Sequence, residues 1–274
     1  MAALKGKREI ESLLRASGYT EEWHVRRLVE TALLVPPASA GARMVDLGTH
    51  PAVLNVLAQV GGYDQVDGVD CDEGRPSSWS VEMPVWASDE VRTYRVHNRD
   101  VQRDRLPFEN DSVDLVTCLE TLEHLLDPMH LLIESNRILK PGGTLLLTTP
   151  NVVSWRSMLR AAVHKHPLVY PVLIPGLDTN RHNIEYTPRL ARALLTAAGF
   201  AGDVRTRAWW YRVSLFDKAR LVLAGFRPGD RGDIIVAVVR KCSAPVVRFP
   251  PEVYQVTDET AASAGVPTLT YRRT

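Results

Sequence analysis

Glu120, Glu123 and His124 lie close together in Cys118-Leu119-Glu120-Thr121-Leu122-Glu123-His124-Leu125. Positions i, i+3 and i+4 share one face of a helical turn, so this spacing gathers two carboxylates and an imidazole. Such a set suits a hard or borderline divalent cation. Without a metal, the imidazole can act as a general base. A second histidine, His182, stands in Arg181-His182-Asn183-Ile184-Glu185-Tyr186-Thr187, just before a segment that reads as a helix.

A different chemistry is written around residues 44–70. Met44-Val45-Asp46-Leu47-Gly48 reads as a short buried strand ending in a turn, and Val66-Asp67-Gly68-Val69-Asp70 as a second strand ending in an acid. In a doubly wound α/β sheet, ligands bind beyond the carboxyl ends of the strands. Gly48 allows close backbone approach there, and Asp70 can accept hydrogen bonds from the two hydroxyls of a ribose. A nucleotide-type cofactor is the expected ligand.

These residues need a scaffold of alternating strands and helices. Residues 5–16 and 20–35 read as amphipathic helices, with Val25, Leu28, Val29, Ala32 and Leu33 at helical spacing. Further helices are expected at 52–60, from Asp127-Pro128 to Leu139, and from Thr187-Pro188 to Gly199; an N-cap followed by a first-turn proline opens the last two. Strands are expected near 43–47, 66–70, 91–97, 113–118, 144–149, 204–212 and 233–241. The fold class is therefore α/β: a Rossmann-like, seven-stranded, mostly parallel sheet with helices on both faces. Within it, 1–39 form an N-terminal helical cap, 40–241 the main domain and 242–274 a C-terminal strap. Residues 151–186 are too long for a plain connection and are expected to form an acceptor lid. On the sixth strand, Trp209 and Tyr211 should face one way and Trp210 the other, in core packing.

The chain is 274 residues long, 45% hydrophobic, with a net charge of +1. From 151 to 241, however, 15 Lys and Arg stand against 6 Asp and Glu. That excess suits an anionic acceptor, although solvated helix faces would read the same way. Three widely spaced cysteines, Cys71, Cys118 and Cys242, argue against a disulfide framework. Met1 to Ile10 lacks the apolar core of a signal peptide, and 166–177 carries three prolines and is too short to span a bilayer. A cytoplasmic protein without a membrane span is expected.

Met44-Val45-Asp46-Leu47-Gly48 resembles the first glycine-bearing motif of class I S-adenosylmethionine methyltransferases. Arg99-Asp100-Val101 through Leu106-Pro107-Phe108 is similar to the family's third-strand segment, Asp111 to Val116 to its fourth-strand entry, and Leu139-Lys140-Pro141-Gly142-Gly143-Thr144-Leu145 to the turn before its fifth strand. The resemblance covers about residues 40–150. It implies S-adenosylmethionine as cofactor, with Asp46, Gly48 and Thr49 at its methionine end. Asp70 would lie on the ribose, Asp100 at the adenine amino group, Val101 against the ring, and Leu119 beside the pocket. One departure is that His50 and Ala52 occupy two positions where the family usually has glycine. His50 must bond to the cofactor or turn away as an ordinary turn residue.

The E-x-x-E-H block with the later H-x-x-E-aromatic-T resembles metal-dependent small-RNA 2′-O-methyltransferases; the first block also resembles ubiquinone-biosynthesis and sugar O-methyltransferases. That resemblance implies a divalent cation such as Mg held by Glu120, Glu123, His124 and His182, which would lower the pKa of an attacking hydroxyl. Without metal, His124 or His182 would be the base, with Glu120 among the catalytic groups. Relatives without a metal use the same residues to line the pocket, so both arrangements stay open. The expected acceptor is a hydroxyl of a sugar or other small biosynthetic intermediate, possessing an anionic group if the basic half is used. The alternatives are an RNA terminal ribose, disfavoured because no RNA-binding module or basic-aromatic stripe is present, and a cofactor-binding partner protein without catalysis. Oligomeric state is not legible.

Overall fold

The computed structural model describes residues 6–163, 165, 182–209, 214–223, 230–248, 250 and 263. Part of the expected lid (164 and 166–181), Trp210 and Tyr211, and most of the tail beyond 250 lie outside the described residues. The elements are α1 (Lys7–Ala16), α2 (Glu22–Ala32), β1 (Arg43–Leu47), α3 (Pro51–Gly61), β2 (Gln65–Asp70), β3 (Ser78–Pro84), β4 (Val91–Asn98), β5 (Val113–Leu119), α4 (Pro128–Ile138), β6 (Leu139–Pro150), α5 (Trp155–Ala162), α6 (Pro188–Ala197), β7 (Phe200–Arg207), α7 (Leu215–Leu223) and β8 (Ile234–Lys241).

The strands form one sheet in the order β3-β4-β2-β1-β5-β6-β8-β7. The five central strands, β4 to β6, pair in parallel, while β3, β8 and β7 join antiparallel. β1 therefore has β2 on one side and β5 on the other, which makes its carboxyl end the point where the chain order reverses. The α/β class and the mostly parallel sheet are as expected, but the sheet has eight strands rather than seven. The added strand, β3, folds back on β4. Its Trp79, Val81 and Met83 alternate with Ser78, Ser80 and Glu82, a half-exposed pattern that makes a weak signal beside the apolar runs of the central strands.

Period-two alternation along those strands builds two cores, one on each face. Val45, Leu47, Leu145, Leu147, Ile235 and Ala237 point toward α4 and α6. Met44, Leu146, Ile234 and Val236 point toward α1, α2 and α3. The two N-terminal helices thus share a core with α3 and the sheet.

Side-chain caps start the helices that frame the site. Asp127 accepts a hydrogen bond from His130 N–H, and Thr187 from Leu190 N–H, with Pro128 and Pro188 in the first turns as expected. Lys140-Pro141-Gly142-Gly143 differs from expectation. It is a bulge inside β6, which already pairs Leu139 with Val113 before shifting register to pair Thr144 with Leu115. Gly142, at φ 75°, supplies the left-handed residue that the bulge requires. β7 ends at Arg207, and Trp209 is buried against the α1–α3 face. Beyond β8, the chain bonds to the α6–β7 turn and to α4: Gly199 O accepts from Cys242 N–H, and Asn136 Nδ2 on α4 donates to Ser243 O. Arg248 pairs with Asp127.

Candidate active site

Asp46 is almost fully buried at the end of β1. The hydroxyls of Thr117, its neighbour on β5, and Thr49 donate to its two carboxylate oxygens at 2.5 and 2.6 Å. Burial nevertheless raises its pKa to about 6. Gly48 follows at φ 71°, and a Cβ there would overlap the Thr121 side chain. The glycine thus admits the turn after β5. Gly48 N–H and Thr49 N–H both donate to Val69 O, at 2.9 and 3.0 Å. His50 is the N-cap of α3: its Nδ1 accepts from Ala52 N–H at 3.3 Å, and its ring meets Tyr19 edge-on at 5.0 Å. Its place in the motif is therefore explained by capping, a job that glycine cannot do with a side chain.

Asp70 ends β2 half-buried, with its pKa raised by burial although Cys71 N–H donates to it. The carboxylate of Asp100 accepts from Gln102 N–H at 2.9 Å and lies 3.7 Å from Arg103, so it also braces its own turn. Val101 is buried in the core beneath that turn. Leu119, the last residue of β5, packs partly buried against the α1–α3 face.

The chain leaves β5 with Glu120 at φ 52° and its N–H on Thr148 O. A single 3-10 turn, Leu122–His124, comes next. This left-handed residue breaks the helical face expected for 120, 123 and 124. Glu120 turns instead to Arg27 of α2, Oε2 to Nη1 at 2.6 Å. Glu123 and His124 are joined by His182: one ligand atom from each lies within 4.8 Å of the others. The structure therefore brings together three of the four expected ligands and separates Glu120 from them.

Glu123 is 2% exposed. Thr149 Oγ1 donates to its Oε2 at 2.9 Å, its Oε1 is 3.9 Å from His124 Nε2, and burial pushes its pKa up. The His124 and His182 rings meet edge-on at 5.1 Å. Burial first, and the neighbouring His124 second, lower the His182 pKa to about 4, which keeps that ring neutral. The 182–186 segment is held on the turn by its own bonds. Asn183 N–H donates to Glu123 O at 2.7 Å, Asn183 Nδ2 to His124 O at 2.6 Å, and Tyr186 Oη to Leu122 O at 3.3 Å. One carboxylate and two imidazoles suit a borderline divalent cation, and Thr149 leaves one Glu123 oxygen for it. Thr117, Thr121, Thr149, Asn183 and Arg27 were not legible as site residues. Asn183 and Tyr186 at least fall within the block that contains His182.

A doubly wound sheet with an acid at the end of its second strand is the arrangement of a nucleotide-binding α/β fold, and here an acid–imidazole cluster lies beyond its fifth strand. Comparison with known proteins agrees. A methyltransferase-domain family matches residues 12–203. The ubiquinone biosynthesis O-methyltransferase of Methylococcus capsulatus is 32% identical over 112 residues, 41% of this chain and 45% of that protein. The match thus spans less than half of that relative's length. A methyltransferase solved with the Trm112 methyltransferase activator of Haloferax volcanii superposes with a TM-score of 0.53 at 19% identity, covering 85% of this chain and 97% of its own. Phosphoethanolamine N-methyltransferase 2 of Haemonchus contortus, solved with S-adenosyl-L-methionine, gives 0.51 at 18% identity, with 87% and 58% covered. At such identities the structural likeness speaks for the fold alone. The chain belongs to the methyltransferase-domain family, within the class I S-adenosylmethionine-dependent superfamily. Its cofactor is S-adenosylmethionine.

Proposed function

We propose that this enzyme methylates a hydroxyl of a sugar or other small biosynthetic intermediate. The observation that carries the reading is the Glu123–His124–His182 cluster, held by Thr149 and Asn183 just beyond the end of β5. Bound S-adenosylmethionine supplies an electrophilic sulfonium methyl. The chain's part is to hold the acceptor oxygen in line and remove its proton. His124 is the proton acceptor, with buried Glu123 beside it to stabilise the imidazolium. Neutral His182 orients the hydroxyl. Asp70 holds the ribose hydroxyls and Asp100 the adenine edge, while Gly48, Thr49 and Leu119 line the pocket and Asp46 fixes Thr49. If the site holds a divalent cation, its ligands are Glu123, His124 and His182, a donor set that fits a borderline ion such as Mn better than Mg, and it would lower the pKa of the acceptor hydroxyl.

An oxygen acceptor also accords with the partial match to a ubiquinone-biosynthesis O-methyltransferase. The basic 151–241 stretch favours an acceptor with an anionic group. Among the described residues no helix is long and apolar enough to cross a membrane. The three unpaired cysteines suit a reducing compartment, so the cytoplasm is the proposed location. The test is transfer of a labelled methyl group to a panel of small hydroxylated metabolites, with NMR of the product. A methyl on oxygen supports the reading, and a methyl found only on nitrogen, carbon or sulfur rejects it.

A further inference from the structure

The acid–imidazole cluster leaves one buried charge unexplained. Arg27 on α2 is 5% exposed. Its Nη1 lies 2.6 Å from Glu120 Oε2 and its Nη2 2.7 Å from His24 Nδ1. An apolar side chain would occupy this place beneath α2 without the desolvation that a cation suffers, so the pair calls for a reason other than stability.

Its geometry supplies one. Glu120 holds a left-handed backbone that a residue with a side chain adopts only at a cost, and something must keep it there. Next in the chain, Thr121 donates to Leu47 O at 3.2 Å and fills the space above Gly48 where a Cβ would overlap it. The same helical unit reaches the far end of this loop, where the Tyr19 ring packs on His50, the N-cap of α3. Contacts therefore run from Arg27 through Glu120 and Thr121 to Gly48, and from Tyr19 to His50. Both ends of the 47–50 loop are thus touched from the N-terminal segment, one through α2 and one through the link between α1 and α2.

We propose that Arg27 is a positioning residue of the cofactor site: its ion pair with Glu120 fixes the 120–121 turn against Gly48 and so shapes the 47–50 loop to receive S-adenosylmethionine. This rests on the cofactor assignment and on no particular acceptor or metal. It also gives Glu120 a task other than ligation.

The test is calorimetric titration of the full-length protein with S-adenosylhomocysteine, alongside thermal melting, for Arg27→Lys, Glu120→Gln and the double variant Arg27→Met/Glu120→Met. The double variant removes both charges at similar volume and should melt close to the unaltered protein. It should nonetheless bind S-adenosylhomocysteine about tenfold more weakly or worse. Should it melt early, Glu120→Gln and Arg27→Lys carry the test. Each keeps hydrogen-bonding capacity but loses the charge or the planar fork. Glu120→Gln, which leaves the buried Arg27 cation without its carboxylate, should melt lower, and Arg27→Lys should melt close to the unaltered protein. Both, titrated well below their melting temperatures, should bind several-fold more weakly. A pair that served packing alone would leave affinity intact in every folded variant, and that result overturns the proposal. If the unaltered protein does not bind S-adenosylhomocysteine, the cofactor assignment and the proposal fall together. If it binds, and the folded variants bind equally well, only the proposal falls.

Discussion

Replacing Asp46 by Asn should stabilise the protein at pH 8 and leave its stability at pH 4 nearly unchanged. Two hydroxyls donate to this carboxylate, and hydrogen bonds to a charged group contribute about 1.5–3 kcal/mol each. Burial still outweighs them, because the folded-state pKa is raised from 3.8 to about 6. The folded protein therefore holds this proton more tightly than the unfolded chain does. Stability contributed by the protonated carboxyl is fully present below about pH 4 and is lost as pH rises toward 6. Above that, with both states ionised, the folded state is less stable by about 3 kcal/mol. Asn cannot ionise and escapes this loss. Urea unfolding of both proteins from pH 4 to pH 8 isolates the effect, since other titrating groups cancel in the difference. The two stabilities should coincide near pH 4, diverge between 4 and 6, and run parallel above. Curves that stay parallel throughout would refute the reasoning and mean that the threonine hydroxyls fully compensate the buried charge.

Gly48→Ala forces a Cβ into Thr121 at a left-handed φ and should cost about 2–4 kcal/mol, visible as a lower melting temperature with weaker S-adenosylhomocysteine binding. Asp70→Asn should weaken that binding about tenfold through poorer ribose contacts, without loss of thermal stability, because burial already disfavours the charged acid. Manganese titrated into the protein should bind about tenfold or more weakly after His182→Ala or Glu123→Gln and unchanged after Glu120→Gln, read by calorimetry. Equal losses from all three would restore Glu120 to the ligand set.

Much of the scaffold was legible because the central strands are short apolar runs buried on both faces, and because Asp127-Pro128 and Thr187-Pro188 announce helix starts. β3 carries no comparable signal, since its half-exposed alternation looks like a polar loop beside Val113–Leu119. The bulge at Pro141–Gly143 reads in sequence as a turn because the same residues serve both, and pairing partners decide which. At the site, Glu123, His124 and His182 converge as the motif resemblance implied. Spacing alone could not bring in His182, which sits 58 residues farther on than His124 and is held through Asn183 and Tyr186. Glu120 falls outside the cluster because nothing in Leu119-Glu120-Thr121 announces a left-handed residue without glycine. Arg27 was hidden for a related reason. Adjacent Arg26 is exposed and Arg27 is buried, and only the packing of α2 distinguishes them.

A crystal structure with S-adenosylmethionine bound would test the central claim most directly. The account predicts the ribose on Asp70, the methionine end beside Gly48 and Thr49, and the sulfonium methyl directed at the Glu123–His124–His182 cluster. A methyl directed away from that cluster, or a cofactor bound away from the ends of β1 and β2, would contradict it.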